Sequence, residues 1–298
     1  MDLHTFLIQL LNGVQYGLLL FLVASGLTLV FGIMGIINVA HGSFYMIGAY
    51  LAWSLTARLG SFWIAVPVAI AITAAVGVLL ERVVIRRLYG RDHLYQVLLT
   101  YGLILVFEET RSLLWGDDVR GVAVPAPLAG SIPLTETLSY PVYRLFISGV
   151  CLAVALLMVW VIQRTRLGMA IRAGSADRQM VQSLGIDVHA LYRVVFAAGV
   201  TLAAFAGMVA APVSAVAPGM GNPVLIVCFV IIVIGGMGSV KGAMLASLLV
   251  GLADTLGKVV HLEIGGVRVL PELSSMTVYL VMAVVLLWRP EGIFGRRT

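Results

Sequence analysis

Charged residues are scarce in this 298-residue chain, of which only 11% are Asp, Glu, Lys or Arg. A soluble domain usually carries about 25%, so the ordinary water-soluble fold classes are excluded. Apolar runs long enough to cross roughly 30 Å of hydrocarbon recur along the whole length. None of them alternates in polarity over about ten residues, as the strands of a membrane β-barrel would. The composition therefore predicts an all-α polytopic membrane protein.

Cysteine and histidine are also few, and their positions suggest no chemistry. Cys151 and Cys228 each lie inside an apolar run without a CxxC partner, so we expect two buried small hydrophobes. The five histidines are scattered and form no HxxxH pair for a metal. No arrangement of Ser, Cys and His suggests a nucleophile. We therefore expect no enzyme activity and no metal site.

A nucleotide-binding motif is missing as well. The stretch GLADTLGKV at 251–259 has five residues between its glycines, where the phosphate loop of ATPases has four. Val259 stands where that loop needs Ser or Thr for Mg²⁺. We expect this chain to bind no cofactor. The net charge of +5 follows the membrane topology, so it does not indicate nucleic acid.

Hydropathy predicts about 8–10 transmembrane helices. The first run has no Lys or Arg before it and no cleavage site after it, which favours a retained span over a signal peptide. The second span is interrupted at its start by Asn38, His41 and Gly42. This pattern predicts a broken or re-entrant helix near 35–45. The nine predicted spans lie near 6–31, 37–57, 62–84, 94–115, 144–163, 194–216, 223–236, 241–259 and 274–288.

The basic residues predict the orientation. If the positive clusters lie inside, the cytoplasmic side holds 13 of the 19 Lys and Arg residues. The N-terminus is then outside and the C-terminus cytoplasmic, within a single domain over 1–298. The longest external loop is 116–143 and the longest cytoplasmic segment is 164–193. The clusters are Arg82, Arg86, Arg87 and Arg91; Arg164, Arg166, Arg172, Arg178 and Arg193; Lys241; and Arg289, Arg296 and Arg297.

Polar side chains in the first span are candidates for the solute pathway. Asn12, Gln15 and Tyr16 share one helix face, and such groups avoid lipid. They either line a water-filled path or join helices by hydrogen bonds, and the pattern leaves both open. Gly13 and Gly17 form a GxxxG pair, which predicts close packing against another helix.

The interrupted second span supplies three more candidates, Asn38, His41 and Tyr45. A helix break exposes backbone groups that can bind a solute. Carboxylates in the middle of a span are absent, which argues against a proton-driven carrier. Asp254 and Lys258, near the outer end of their span, are spaced to form an ion pair on one helix face.

The cytoplasmic segment RLGMAIRAGSADRQMVQSLGID, residues 166–187, predicts a short helix. Ser175 is a suitable cap, Asp177 places negative charge in the first turn, and Gly185 is a natural stop. The helix would span about nine residues, or roughly 13 Å. Its apolar strip would be Met180, Val181 and Leu184, flanked by Arg172 and Arg178. The pattern alone also suits a helix lying on the membrane surface.

This segment resembles the cytoplasmic coupling loop of branched-chain amino acid ABC transporter permeases of the LivH type. INVAHGSFYMIGAY, IIVIGGMGSVKGAMLASLLVG and the closing RPEGIFG resemble further segments of the same family. The four motifs occur in the family's order, and the resemblance runs from about residue 10 to 295.

The resemblance implies a permease subunit of an importer in the bacterial inner membrane. Its partners would be a second, LivM-like permease, two cytoplasmic ATPases that hydrolyse the ATP, and a periplasmic binding protein that delivers the solute. The helix near 176–184 would sit in an ATPase groove. The coupling residues carried over by this likeness are Arg172, Ala176, Asp177, Arg178, Met180, Val181, Leu184 and Gly185.

The transported solute is left open by the sequence. Branched-chain or related amino acids are the expectation, while similar permeases also serve urea, amides, and aromatic or dicarboxylic acids. Two other classes compete with an importer subunit: a self-sufficient secondary carrier or channel, and a purely structural membrane partner.

Overall fold

The chain folds almost entirely into helices. The computed structural model describes residues 3–133, 139–258, 263–264, 267–268 and 271–295. Two small antiparallel pairs, Ser131–Pro133 with Ser139–Pro141 and Glu263–Ile264 with Val267–Arg268, are the strands in this part of the chain. The helices are α1 Leu3–Met34, α2 His41–Leu59, α3 Phe62–Val83, α4 His93–Trp115, α5 Val142–Arg164, α6 Arg166–Ala176, α7 Arg178–Ser183, α8 Val188–Ala210, α9 Gly221–Gly235, α10 Val240–Gly257 and α11 Pro271–Trp288.

The predicted all-α membrane architecture is confirmed. Within the described ranges, nine of these helices lie at the positions of the nine predicted spans, and α6 and α7 lie in the segment that the sequence predicts to be cytoplasmic. Five of them, α1, α3, α5, α8 and α10, are long and apolar enough to cross a membrane unaided. The other long helices are shorter or more polar, so the number of crossings stays a prediction.

Helix α1 is the central element because its side chains are apolar almost throughout and mostly buried. The GxxxG pair lets its backbone approach α10 closely, since a Cβ on Gly17 would lie 2.8 Å from the Ser247 carbonyl oxygen. Gly26 meets Gly199 of α8 in the same manner. The predicted close packing at Gly13 and Gly17 is therefore confirmed.

The chain between α1 and α2 folds back along α1. Gly35 turns the chain with a φ of 63°, and residues 35–38 have no regular structure. His41 Nε2 then lies 3.0 Å from the carbonyl oxygen of Val23, which is about 16 Å before the end of α1 at the usual helical rise. Helix α2 thus begins beside the middle of α1, as the broken or re-entrant pattern predicts.

Helix α4 holds this returning segment. The backbone N–H of Ile37 donates to Gln96 Oε1 (3.2 Å), and that of Val39 donates to Thr100 Oγ1 (3.2 Å). Buried N–H groups need such partners once helical hydrogen bonding stops. Gln96 and Thr100 are both buried polar residues of α4. Their side chains accept the two hydrogen bonds that a continuing helix would otherwise accept.

The 116–143 loop is fastened to the ends of α2 and α4. Arg111 Nη1 lies 2.6 Å from Asp117 Oδ1, and the Arg120 guanidinium lies 5.1 Å from the Trp53 ring centroid. Arg120 also exchanges backbone hydrogen bonds with Val216. The hydrogen bond from Arg111 lowers the pKa of the Asp117 carboxyl below its ordinary 3.8. This end of the bundle therefore carries a charged rim.

Candidate functional site

A cavity of about 560 Å³ opens beside the first half of α1, and we call it the N-terminal cavity. It brings together four of the six predicted pathway residues, Asn12, Gln15, Tyr16 and Tyr45. Helices α5 and α10 and the end of α8 supply the other walls. The remaining lining residues are Gln9, Leu19, Arg144, Ile147, Ala210, Val213, Ser214, Asp254, Thr255 and Lys258.

Charged groups of both signs line this cavity. Arg144 Nη1 donates to Asn12 Oδ1 (2.7 Å), and the Tyr140 hydroxyl donates to the same oxygen (3.2 Å). On the opposing helix, Lys258 Nζ lies 2.6 Å from Asp254 Oδ2. The predicted Asp254–Lys258 ion pair is confirmed. The spacing of Asn12 indicated a polar contact, but its partner on α5 is remote in sequence.

Gln15 places a polar amide on the wall of this cavity. The residue is 7% exposed and lines the cavity, and its amide makes no hydrogen bond to any described residue. Its amide atoms are not among the fully buried polar atoms that lack a partner, so they are accessible from the cavity. The amide can therefore hydrogen-bond to water or to a polar ligand there.

Asn38 and His41 lie apart from these four residues. Both are buried and neither lines the cavity. His41 is held by the Val23 carbonyl, and the Asn38 amide has no partner in the described part of the chain. The contact of His41 with α1 therefore holds the returning segment against that helix. The sequence pattern located the helix break but not the direction in which its side chains face.

A second cavity, of about 480 Å³, opens beside the last turns of α1, and we call it the C-terminal cavity. It contains Arg172 of the predicted coupling set together with Lys241 of α10. No Asp or Glu is found among its described lining residues, so its charge is of one sign. The other lining residues are Thr28, Leu29, Gly32, Ile33, Val159, Ile162, Gln163, Ile171, Ser175, Gly238, Ser239 and Val240.

The predicted coupling helix is divided in two by Asp177. Ser175 lies inside α6 and its hydroxyl donates to the Arg172 carbonyl (2.9 Å), so its prediction as a cap is wrong. Asp177 has an extended backbone, with φ −151°, and its Oδ1 accepts from the Met180 N–H (3.0 Å). Asp177 is therefore the cap, and α7 contains six residues instead of about nine.

The predicted apolar strip on α7 is only partly exposed. Met180 is 59% and Leu184 72% exposed, whereas Val181 is 2% exposed and faces the bundle. Including Val181 in an exposed contact surface was wrong, because the rest of the protein covers this side chain. The side chains of Ala176 and Arg178 lie outside the described residues.

Gly185 ends the short helix as predicted. Its φ is 79°, a left-handed conformation that favours glycine. The N–H of Gly185 donates to the Gln182 carbonyl, and that of Ile186 to the Val181 carbonyl. These two bonds form the usual glycine stop of a helix. Asp187 then caps α8 through the N–H groups of His189 and Ala190, and the bond to Ala190 above all lowers the Asp187 pKa.

Glu81 is a buried charged residue that the sequence patterns do not single out. Its carboxylate, fully buried near the end of α3, accepts from the Tyr89 hydroxyl and lies 3.2 Å from Arg193 Nε. The cluster joins α3 to the start of α8, close to α7. The only sequence signal is one acid in an otherwise apolar run, directly before Arg82. Among the described residues, no group of three His, Cys, Asp or Glu could hold a metal ion.

Comparisons with known proteins identify a family for this chain. The family model described as "Branched-chain amino acid transport system / permease component" matches residues 9–286. The chain is 32% identical to the high-affinity branched-chain amino acid transport system permease protein BraD of Pseudomonas aeruginosa, over 99% of this chain and 97% of that protein.

Two further relatives and one solved structure extend this result. The permease protein LivH of Salmonella typhimurium is 32% identical over 98% of this chain and 96% of its own length. The permease protein LivM of Escherichia coli is 29% identical over 90% of this chain and 66% of its own length. The structure of PsaBC from Streptococcus pneumoniae in complex with Fab has a similar fold, with a TM-score of 0.50, 13% identity, and coverage of 95% of this chain and 92% of that one.

Proposed function

This chain belongs to the family of permease components of branched-chain amino acid transport systems, and we propose that it is the membrane subunit of an ATP-driven importer for branched-chain or related amino acids. It is a multi-pass membrane protein, and its relatives are transport components and not enzymes. The proposal concerns the energy source, the partners and the solute.

The proposed partners are a second, LivM-like permease, two cytoplasmic ATPases and a periplasmic binding protein. Similarity to both LivH and LivM permeases supports pairing of two related subunits. The lack of a phosphate loop in the sequence is consistent with separate subunits that bind ATP. The complex would lie in the bacterial inner membrane, with the N-terminus outside and the C-terminus in the cytoplasm.

The observation that carries the proposal is the pair of cavities at opposite ends of α1. Between them, residues Leu20 to Ala24 and Leu27 are buried and apolar, so this structure has no continuous polar path along α1. Such a closed arrangement fits a transporter that opens to one side at a time. In our proposal the N-terminal cavity receives the solute and the C-terminal cavity releases it.

Helix α7 is the proposed contact with an ATPase. Exposed Met180 and Leu184 form an apolar pair on a short helix, and such helices bind in grooves through anchors of this type. Val181 lies on the covered side of this helix, and α7 contacts both α6 and α8, so movement of the ATPase would reach the bundle. Asp177 and Gly185 contribute by fixing the two ends of α7.

The coupling proposal is tested with Leu184→Arg and Met180→Asp in the complete transporter. We expect both variants to lose co-purification of the ATPases and ATP-dependent leucine uptake into proteoliposomes, because a charge would enter an apolar groove. Leu184→Met and Met180→Leu keep apolar contacts and should retain both. ATPase binding by Leu184→Arg equal to that of the unmodified protein would overturn the assignment.

The same proteoliposomes test the energy source. An importer subunit should show no leucine uptake until both ATPases and ATP are present. Uptake by the permease pair alone, driven by a solute or ion gradient, would show a secondary carrier or channel instead.

A further inference from the structure

We infer that the N-terminal cavity binds an α-amino acid as a zwitterion, with Arg144 holding the carboxylate and Asp254 holding the ammonium group. This inference rests on the proposed function and assigns two residues outside the predicted pathway set. The cavity volume of about 560 Å³ lies in the ordinary range of small-ligand sites. Its charged residues fit the carboxylate and the ammonium group of such a ligand, and its apolar residues fit an aliphatic side chain.

Arg144 is positioned to bind a carboxylate. Its Nη1 donates to Asn12 Oδ1, and the Tyr140 hydroxyl holds the same oxygen from another side. A guanidinium has five N–H donors in a rigid plane that matches a carboxylate. One donor fixes the side chain to α1 and the guanidinium also interacts with the Tyr140 hydroxyl, which leaves the rest of its donors for a ligand in the cavity that Arg144 lines.

Asp254 is positioned to bind an ammonium group. Its side chain is mostly buried, and its Oδ2 pairs with Lys258, whose side chain is mostly exposed at the mouth of the cavity. A carboxylate accepts about four hydrogen bonds, so pairing with Lys258 does not exhaust it. An incoming ammonium can share the carboxylate with Lys258 or replace it, since the lysine head group can move into water.

The remaining walls suit the rest of an aliphatic amino acid. Gln15 supplies an amide that is accessible from the cavity, and the Tyr16 and Tyr45 side chains line the same cavity. Leu19, Ile147, Ala210 and Val213 form an apolar surface on the same cavity. A dicarboxylic acid would place a second negative charge near Asp254, and urea has neither a carboxylate for Arg144 nor an ammonium group for Asp254, which stays paired with Lys258. The mixture of charges therefore favours a zwitterion with an apolar side chain.

Binding is tested with a cysteine reporter in the assembled transporter in nanodiscs. The native Cys151 and Cys228 are both buried, whereas Val213 is 41% exposed on the cavity wall. In a Val213→Cys variant, we expect leucine to slow labelling of this chain by a small thiol reagent. Leucinamide lacks the carboxylate and 4-methylpentanoate lacks the ammonium, so each should need at least about ten times more ligand for the same protection.

Variants separate ligand contacts from structural ones. Arg144→Gln and Asp254→Asn, each combined with the reporter, should raise the half-protecting leucine concentration at least about tenfold. Arg58→Gln removes a cation from an exposed position outside the cavity and should change nothing. Lys258→Gln breaks the same ion pair as Asp254→Asn but keeps the acid, so it should preserve protection. If Lys258→Gln and Asp254→Asn lose leucine protection equally, Asp254 acts only as a structural partner of Lys258.

The outcomes distinguish this inference from the proposed function. No protection by leucine, or equal protection by leucine, leucinamide and 4-methylpentanoate, overturns the zwitterion site. ATP-dependent leucine uptake in that case would leave the proposed function standing. Protection by leucine without any ATP-dependent uptake would instead support the site and contradict the importer. A second reporter, Ser214→Cys, serves if Val213→Cys does not assemble.

Discussion

The two ends of α1 differ in the charge that they present to solvent. The N-terminal cavity has Arg144 and Lys258 facing Asp254, so both signs are present. The C-terminal cavity has Arg172 and Lys241 and no acid among its described lining residues. A zwitterion finds a partner for each of its charges in the first cavity and for its carboxylate alone in the second. In our proposal this difference gives weaker binding in the C-terminal cavity, from which the solute is released.

The contact between α1 and α8, which lies between the cavities, gives the largest expected effect. A Cβ on Gly26 would meet the backbone of Gly199, with Gly199 Cα only 3.1 Å away. Gly26→Ile should therefore force the helices apart and destabilise the protein by about 3 kcal/mol. We expect a lower thermal unfolding midpoint for the purified protein in detergent.

Gly149 provides the matched control for this substitution. It also lies inside a helix, but a Cβ there would meet no described atom within 4 Å. Gly149→Ile should leave the unfolding midpoint nearly unchanged. Equal destabilisation by the two variants would mean that the loss of glycine matters and not the contact between α1 and α8.

The charge difference itself is removed by Lys241→Glu, which gives the C-terminal cavity an acid. We expect leucine uptake to fall about tenfold, because the ammonium group gains a charged partner on the release side. ATPase co-purification should stay unchanged. The neutral variant Lys241→Gln should lose less than about half of the uptake, and an equal loss in both variants would contradict a role for charge in release.

Arg172→Glu decides to which site Arg172 belongs. The family resemblance assigned it to the coupling set, while the structure places it in the C-terminal cavity. If it acts in the cavity, the variant should lose uptake about as strongly as Lys241→Glu and keep its ATPases. Loss of ATPase co-purification would instead show that Arg172 belongs to the contact with the ATPase.

Acid should affect the two ends differently, and this is the smallest expected effect. The pKa of Asp117 is lowered by Arg111, so the stability from this pair is present above the ordinary value of 3.8. It is lost as the pH falls through the lower folded-state value. Asp117→Asn should remove this part of the decline when the unfolding midpoint is measured from about pH 7 to about pH 3.

Asp118→Asn is the control at the neighbouring position. Asp118 pairs with Arg120 instead of Arg111, so this variant should keep the acid-dependent decline attributed to Asp117. A decline of the same size in Asp117→Asn and in the unmodified protein would show that the Arg111 pair does not stabilise the loop.

Local patterns predicted the helices well because hydropathy and capping depend on near neighbours. The break before α2, the Gly13 and Gly17 packing, the Asp254–Lys258 pair and the Gly185 stop all belong to this class. The cap was misplaced at Ser175 because Asp177, two residues later, competes for the same function. Both are good capping residues, and only the backbone conformation distinguishes them.

Tertiary packing decided what the sequence could not. Val181 belongs to the same apolar pattern as Met180 and Leu184, but only the folded structure shows that it is covered. Arg144 reaches Asn12 across 132 positions of sequence, which no local pattern reveals. Glu81 and its partners Tyr89 and Arg193 are likewise brought together only by the fold.

The length of α1 has a consequence for the membrane voltage. Its 32 residues span about 48 Å, well beyond the roughly 30 Å of hydrocarbon. With Met34 at one hydrocarbon boundary, Gln15 lies about 28 Å further along the helix, close to the opposite boundary. A solute beside Gln15 has therefore crossed almost none of the transmembrane potential. The potential falls between Gln15 and Met34, and a zwitterion without net charge crosses it without net electrical work.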